Sequence, residues 1–292
     1  MLLLSAWKKK AKRIILARNV IEENPNCNLN ILSKVLHISR WLLYYESKMD
    51  IKDESFRESL ESVNNEHPFY WHRRIAWSLD WSLKKARRLM KKFWVSAITR
   101  KTRKFLKRDD IWAPEMDVPN LIKDIEVVRP NQIWKSDFTF LRYRWIFFYL
   151  ATILDDFTKE IIWYSLSIRH TKEFVLYAIK DALKKKRSIP DIFHSDQWSE
   201  YRSYLVLEFL KSNSIQASMS KKWSPWENWS QESYYSRFKL EIWDLNRYES
   251  FEEAIEAIHH QIFYYNNHRI HSKHKMPPVE ARKRYEIMML NQ

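Results

Sequence analysis

Two periods of hydrophobic residues divide the chain. Up to residue 108 the apolar positions recur at helical spacing. Over Asn28–Arg40 they are Leu29, Ile31, Leu32, Val35, Leu36 and Ile38, with a break near His37 and a second helix predicted from Ser39, a helix-turn-helix-like pattern. Farther on, Leu83, Ala86, Leu89, Met90 and Phe93 fall on one helical face. From Asn131 the period shortens. Ile133–Leu141, Ile146–Leu154 and Glu160–Leu166 are β-branched and aromatic runs at hairpin spacing, and they predict three consecutive strands. A helix over Thr171–Lys186, a strand over Ile192–His194, a helix over Tyr201–Ser212 and a strand over Ile215–Met219 follow. A polar loop, Ser220–Trp229, then leads to a helix carrying Glu232. Two further helices, Phe251–His268 and Pro278–Tyr285, close the chain.

This order divides the chain into five parts. Residues 1–48 are helical with the possible helix-turn-helix, 49–108 form a basic helical region, and 109–130, with Pro114, Pro119 and Pro130, read as a linker. Residues 131–246 form an α/β unit, and 247–292 are helices that close it. Three strands followed by alternating helix and strand predict a mixed five-stranded sheet flanked by helices, in the order of a ribonuclease-H-like fold.

Charge adds a partner to the picture. The formal net charge is +15 and the pI is near 9.6, a balance suited to polyanions. From Lys84 to Arg108 there are twelve lysines and arginines and no acid. Such a run repels itself unless an anion compensates it, and duplex phosphates are the expected compensation. Lys84, Lys85, Arg87, Arg88, Lys91, Lys92, Arg100 and Lys101 are the candidate DNA contacts within it. A solvated helix face is the plainer alternative. No apolar run approaches the roughly 18–20 residues of a membrane span. The single cysteine, Cys27, rules out an intrachain disulfide and a multi-cysteine zinc site, so a reducing, cytoplasmic setting is expected.

Three carboxylates carry the candidate chemistry. Asp137 lies in the first β-rich run, Asp196 just after the fourth, and Glu232 opens an amphipathic helix, with Lys239 two helical turns beyond it. Taken singly, each is more often a surface or capping group, and Glu232 suits a helix's first turn on electrostatic grounds alone. Jointly they form a set of hard oxygen ligands from two strands and a helix. Such a set suits two Mg²⁺ ions about 3.5–4 Å apart, with Mn²⁺ as a substitute, for in-line attack at phosphodiesters. His194-Ser195 beside Asp196 is no hydrolase triad, because neighbouring strand residues point to opposite faces. Tyr234 and Tyr235 read as face-filling residues of the Glu232 helix. His268, His271 and His274 read as solvated or DNA-facing rather than as a metal site.

These motifs together resemble the transposases of insertion-sequence family three, in particular their second-reading-frame (OrfB) product. Tyr70-Trp-His-Arg-Arg-Ile75 and Ala86-Arg-Arg-Leu-Met90 look like the family's helical segment. Asn131-Gln-Ile-Trp134, His194-Ser-Asp-Gln197 with Ser199-Glu-Tyr201, then Pro225, Asn228 and Glu232, look like its three carboxylate motifs. Tyr265-Asn266, Arg269, His271 and Pro278 resemble its closing signature. Glu227 departs from the family's usual aspartate. The core is similar to retroviral integrases, without their zinc-binding amino-terminal domain.

The resemblance implies a DDE transposase with Asp137, Asp196 and Glu232 as metal ligands and Lys239 contacting DNA near the cut. Asn228 is a candidate DNA contact or a residue shaping the helix start. The implied partners are the element's terminal inverted repeats, target DNA, further copies of the chain in a synaptic complex, and an upstream-frame (OrfA) product. The implied location is the bacterial nucleoid. The alternatives are a structure-selective nuclease with the same cage and a non-enzymatic DNA-binding remnant or repressor.

One compositional anomaly remains. There are no glycines and 15 tryptophans, where an average chain of this length would hold about 20 glycines. Tryptophan stands where turns ask for glycine, as at Trp94, Trp145, Trp198, Trp223, Trp226 and Trp229, and at the family's glycine position Trp71. The expectation is that most are glycines specified by UGA codons, with Trp134 a genuine tryptophan.

Overall fold

The computed structural model describes residues 2–45, 48–99, 118–169, 171–186, 188–221 and 225–291. Helices α1 (Leu2–Glu23), α2 (Leu29–Val35) and α3 (Trp41–Tyr44) enclose a small core of Ala17, Ile38 and Leu43. Asn28 starts α2 by accepting hydrogen bonds from the Asn30 and Ile31 amides. The chain turns at His37, as its pattern predicts. The second helix of that pair, however, is a single turn beginning at Trp41 rather than at Ser39.

Helices α4 (Lys48–Glu54), α5 (Arg57–Glu66), α6 (His72–Ser78) and α7 (Leu83–Lys92) gather round Leu60, Tyr70, Ile75, Ala86, Leu89 and Met90. Ser82 caps α7 by accepting from the Lys85 amide. Leu83, expected on the buried face, is exposed: as the first residue of α7 it precedes the turns that pack. Residues 100–117, with the end of the basic run and much of the expected linker, lie outside the described residues.

The α/β unit follows its predicted order. Strands β1 (Ile133–Tyr143), β2 (Ile146–Asp155) and β3 (Ile161–Ser167) form an antiparallel meander. Helix α8 (Lys172–Lys186), β4 (Ile192–Ser195), α9 (Tyr204–Ser212) and β5 (Gln216–Met219) come next. The sheet order is β3-β2-β1-β4-β5, with β4 parallel to both β1 and β5. A short 3-10 turn at Pro225–Asn228 leads into α10 (Trp229–Glu241), then α11 (Phe251–Asn267) and α12 (Pro278–Leu290).

Alternation along β1 and β2 sends side chains to two cores. Trp134, Phe138, Ala151 and Ile153 pack against α8 and α9. Leu141, Phe148, Leu150 and Leu154 pack against α10 and α11. The sheet is therefore covered on both faces, which is the mixed, helix-flanked architecture expected of a ribonuclease-H-like fold.

The helical region docks on α11 and the segment that follows it. His67 Nδ1 lies 2.7 Å from the Tyr264 hydroxyl, the Ile270 amide donates to the Tyr70 hydroxyl at 2.7 Å, and Arg74 Nε donates to the Ile270 carbonyl at 2.8 Å. Among the described residues no helix is long and apolar enough to cross a membrane.

Candidate active site

The sheet register brings the two aspartates together. β1 and β4 run parallel with Ile133 opposite Ile192 and Lys135 opposite His194. Continuing that register by two residues sets Asp196, just past β4, level with Asp137 in the middle of β1. Pairing of Asp137 with Thr152 of β2, two residues beyond the β1–β4 ladder, leaves its backbone little freedom.

Helix α10 is pinned across β1 beside it. Gln231, fully buried, donates to the Lys135 carbonyl at 2.7 Å and accepts from the Thr152 hydroxyl at 3.1 Å. The Tyr235 hydroxyl donates to the Asp137 carbonyl at 2.6 Å. These bonds clasp β1 on either side of Asp137 and turn Glu232, in the first turn of α10, outward to solvent. Neither Gln231 nor Tyr235 carried a signal in the sequence beyond its place on the apolar side of the Glu232 helix.

The electrostatics follow from crowding carboxylates in a partly buried site. Burial, and then the neighbouring Asp196, push the Asp137 carboxyl well above the usual range; the Phe138 amide opposes this and Glu232 adds to it. Burial likewise pushes Asp196 up to about 7, against hydrogen bonds from the Trp198 amide and indole. Its Oδ1 is buried without a hydrogen-bond partner. Glu232 is raised by partial burial. An orphaned buried carboxylate oxygen beside a second, half-buried carboxylate is the donor set of a hard cation, so Asp137 and Asp196 fit a divalent metal.

The cage is nevertheless not closed. Among the described residues no set of three or more His, Cys, Asp or Glu side chains is placed to hold an ion. Asp137 and Asp196 are brought together, while Glu232 stays at the rim, within electrostatic reach of Asp137. Two features account for this: the Trp198 indole donates to Asp196 and occupies part of its carboxylate, and Glu232 sits on the solvent side of α10.

The other candidates divide. Lys239 is half-buried, 5.5 Å over the Phe140 ring, and lowers the Asp137 carboxyl, so it borders the site. Asn228, a candidate DNA contact or a residue shaping the helix start, lies inside the fold. It is 4% exposed at the N-cap position of α10, and its side-chain amide has no hydrogen-bond partner, not even the helix amides. The 3-10 turn before α10 folds it inward.

In the basic run Lys84, Arg87 and Lys91 are exposed. Lys85 lies 3.2 Å over the Phe56 ring. Arg88 and Lys92, expected to be compensated by DNA, are compensated within the chain. Arg88 Nη2 donates to Asp53 at 2.7 Å, and Lys92 donates to Asp53 at 3.0 Å and to Asp50. The Arg88 hydrogen bond is the main reason the Asp53 carboxyl falls to about 2, against its burial. A run read by itself cannot show acids brought from α4. Arg100 and Lys101 lie outside the described residues, as do Trp223 and the side chain of Trp226.

Known proteins share stretches of this sequence. An integrase core domain family matches residues 127–225, and a second integrase core domain family matches 213–278. An uncharacterized transposase-like protein of Haemophilus influenzae is 35% identical over 163 residues, covering 56% of this chain and 76% of that protein. The putative transposase InsK for insertion sequence element IS150 of Escherichia coli is 28% identical over 263 residues, covering 87% and 93%. The HTLV-2 integrase catalytic core domain in complex with magnesium is similar at a TM-score of 0.43 and 19% identity, over 52% of this chain and 97% of that one.

Proposed function

Since the chain belongs to the transposases of insertion-sequence family three, with an integrase core domain, we propose that Asp137, Asp196 and Glu232 are its catalytic carboxylates and that it cuts and joins the DNA ends of its element. The carrying observation is the pair of half-buried aspartates set level by the continued β1–β4 register, one with an orphaned oxygen. Two Mg²⁺ ions, or Mn²⁺, held by these aspartates and Glu232 would supply Lewis-acid activation of a water or DNA 3′-hydroxyl and of the scissile phosphate.

The chain's own residues do the positioning. Asp137 is fixed by strand pairing, Gln231 and Tyr235 hold α10 so that Glu232 overlooks the pair, and Lys239 neutralises a phosphate at the rim. Lys84, Arg87 and Lys91 on α7 offer exposed charge to the terminal inverted repeats and to target DNA. Joining two ends to a target calls for more than one copy of the chain, and an upstream-frame product would add DNA binding. The work is done at the nucleoid, in the cytoplasm.

A strand-transfer assay with pre-cut ends tests this. Asp137→Asn, Asp196→Asn and Glu232→Gln should each abolish Mg²⁺-dependent joining while far-UV circular dichroism and DNA affinity stay close to wild type. Joining at near wild-type rates by any of them removes that residue from the site. Hydrolysis without joining by the wild-type chain would indicate a nuclease instead, and a shift without chemistry a repressor.

A further inference from the structure

We infer that Trp94, Trp145, Trp198 and Trp243 are glycines in the protein as its own cells make it, their codons being UGA read as glycine. The chain has no glycine and 15 tryptophans, yet its backbone keeps the places where glycine is used. Among the described residues nine have φ between 50° and 63°. Five of these, His37, Asp80, Trp94, Ser214 and Trp243, directly follow a helix C-cap, the left-handed position that glycine fills most often.

Trp94 shows the motif in full. With φ 57° it follows the C-cap Phe93, whose amide bonds to the Leu89 carbonyl, and the Val95 amide reaches back to the Met90 carbonyl at 2.9 Å. The indole is 92% exposed, so no packing offsets the left-handed backbone. Trp243, with φ 62°, ends α10 and is 59% exposed. Bulky residues are outliers in this region.

Trp145 and Trp198 point the same way by other routes. Arg144 and Trp145 form the two-residue loop between Tyr143 and Ile146; its left-handed residue is Arg144, with φ 51°, and Trp145 beside it is 86% exposed, an indole with little to pack on in a tight loop that favours small turn residues. At Trp198 the indole donates to Asp196. Glycine there would leave the backbone amide but free the carboxylate for a cation. Trp134 behaves in the opposite way: it is fully buried, and its indole N–H donates to Asn131 Oδ1 at 3.0 Å, as a genuine tryptophan should.

Codons and peptide masses decide the matter independently of what the enzyme does. UGA at positions 94, 145, 198 and 243, UGG at 134, and glycine at the first four in tryptic peptides of the protein from its own cells are expected. UGG codons, or tryptophan in those peptides, would overturn the inference. A physical test uses recombinant chain: Trp94→Gly and Trp243→Gly should each raise the melting temperature, whereas Trp134→Gly lowers it. A fall in melting temperature for Trp94→Gly and Trp243→Gly, or a drop in DNA affinity that assigns those indoles to base stacking, would overturn it as well.

Discussion

Tyr235 illustrates how much of the site rests on single hydroxyls. Its Oη donates to the Asp137 carbonyl and lies 2.8 Å from the Thr152 hydroxyl, in a buried position between α10 and β1. Tyr235→Phe keeps the ring and its packing but leaves the Asp137 carbonyl without that donor. An unmet buried acceptor costs roughly 1–3 kcal/mol, so a lower denaturant midpoint at unchanged slope is expected. Strand transfer should fall further than stability alone accounts for, because α10 also sets where Glu232 stands. Equal, small losses in both measurements would make Tyr235 a packing residue only.

At the scale of elements, α7 shows charge sorted by face. Arg88 and Lys92 turn to Asp53 and Asp50 on α4, while Lys84, Arg87 and Lys91 stay in solvent. Replacing those three with alanine should flatten the log–log salt dependence of DNA binding, by close to one unit for each phosphate they neutralise. An unchanged slope would take α7 off the DNA.

Asp53 has its own signature in pH. Its folded-state pKa, about 2, lies below its ordinary 3.8. The stability it contributes is therefore complete above about pH 4 and is lost as pH falls through about 2. Asp53→Asn should lower the melting temperature at pH 6 and narrow its gap to wild type on acidification. A gap that stays constant down to pH 2 would show that the α4–α7 ion pairs contribute nothing.

For the whole molecule, a buried ion pair joins α10 to the carboxy-terminal segment. Arg269 meets Glu241, in the last turn of α10, through bonds of 2.7 Å, with both side chains 3% exposed, and Gln261 donates to the same carboxylate. The next residue, Ile270, is the seat on which Tyr70 and Arg74 of the helical region dock. Removing one charge leaves its partner buried and unpaired, at a cost of about 3–5 kcal/mol. Glu241→Gln should lower the stability to unfolding by that amount and loosen the helical region, read as faster amide hydrogen exchange in α5, α6 and α7. A stability change under about 1 kcal/mol would mean that the docking rests on apolar contacts instead.

The sequence alone was enough for the order and type of the elements, because each is amphipathic at its own period and bounded by caps and breaks. Ile133, Ile146, Phe251 and Pro278 begin their elements where the pattern says they should. It also offers Asp137, Asp196 and Glu232 as candidates, since a carboxylate within one strand, one just past another and one at a helix start stand out locally, and the resemblance implies the same three. Tertiary structure decided what depends on residues far apart in the chain. Only the parallel β1–β4 register makes neighbours of Asp137 and Asp196, and only the folding of α4 against α7 shows which cations already have their anions. Asn228 is polar, and its letter says surface, but the turn before α10 buries it. Local periodicity reports which face of an element is apolar; what that face meets is settled by the packing of the other elements.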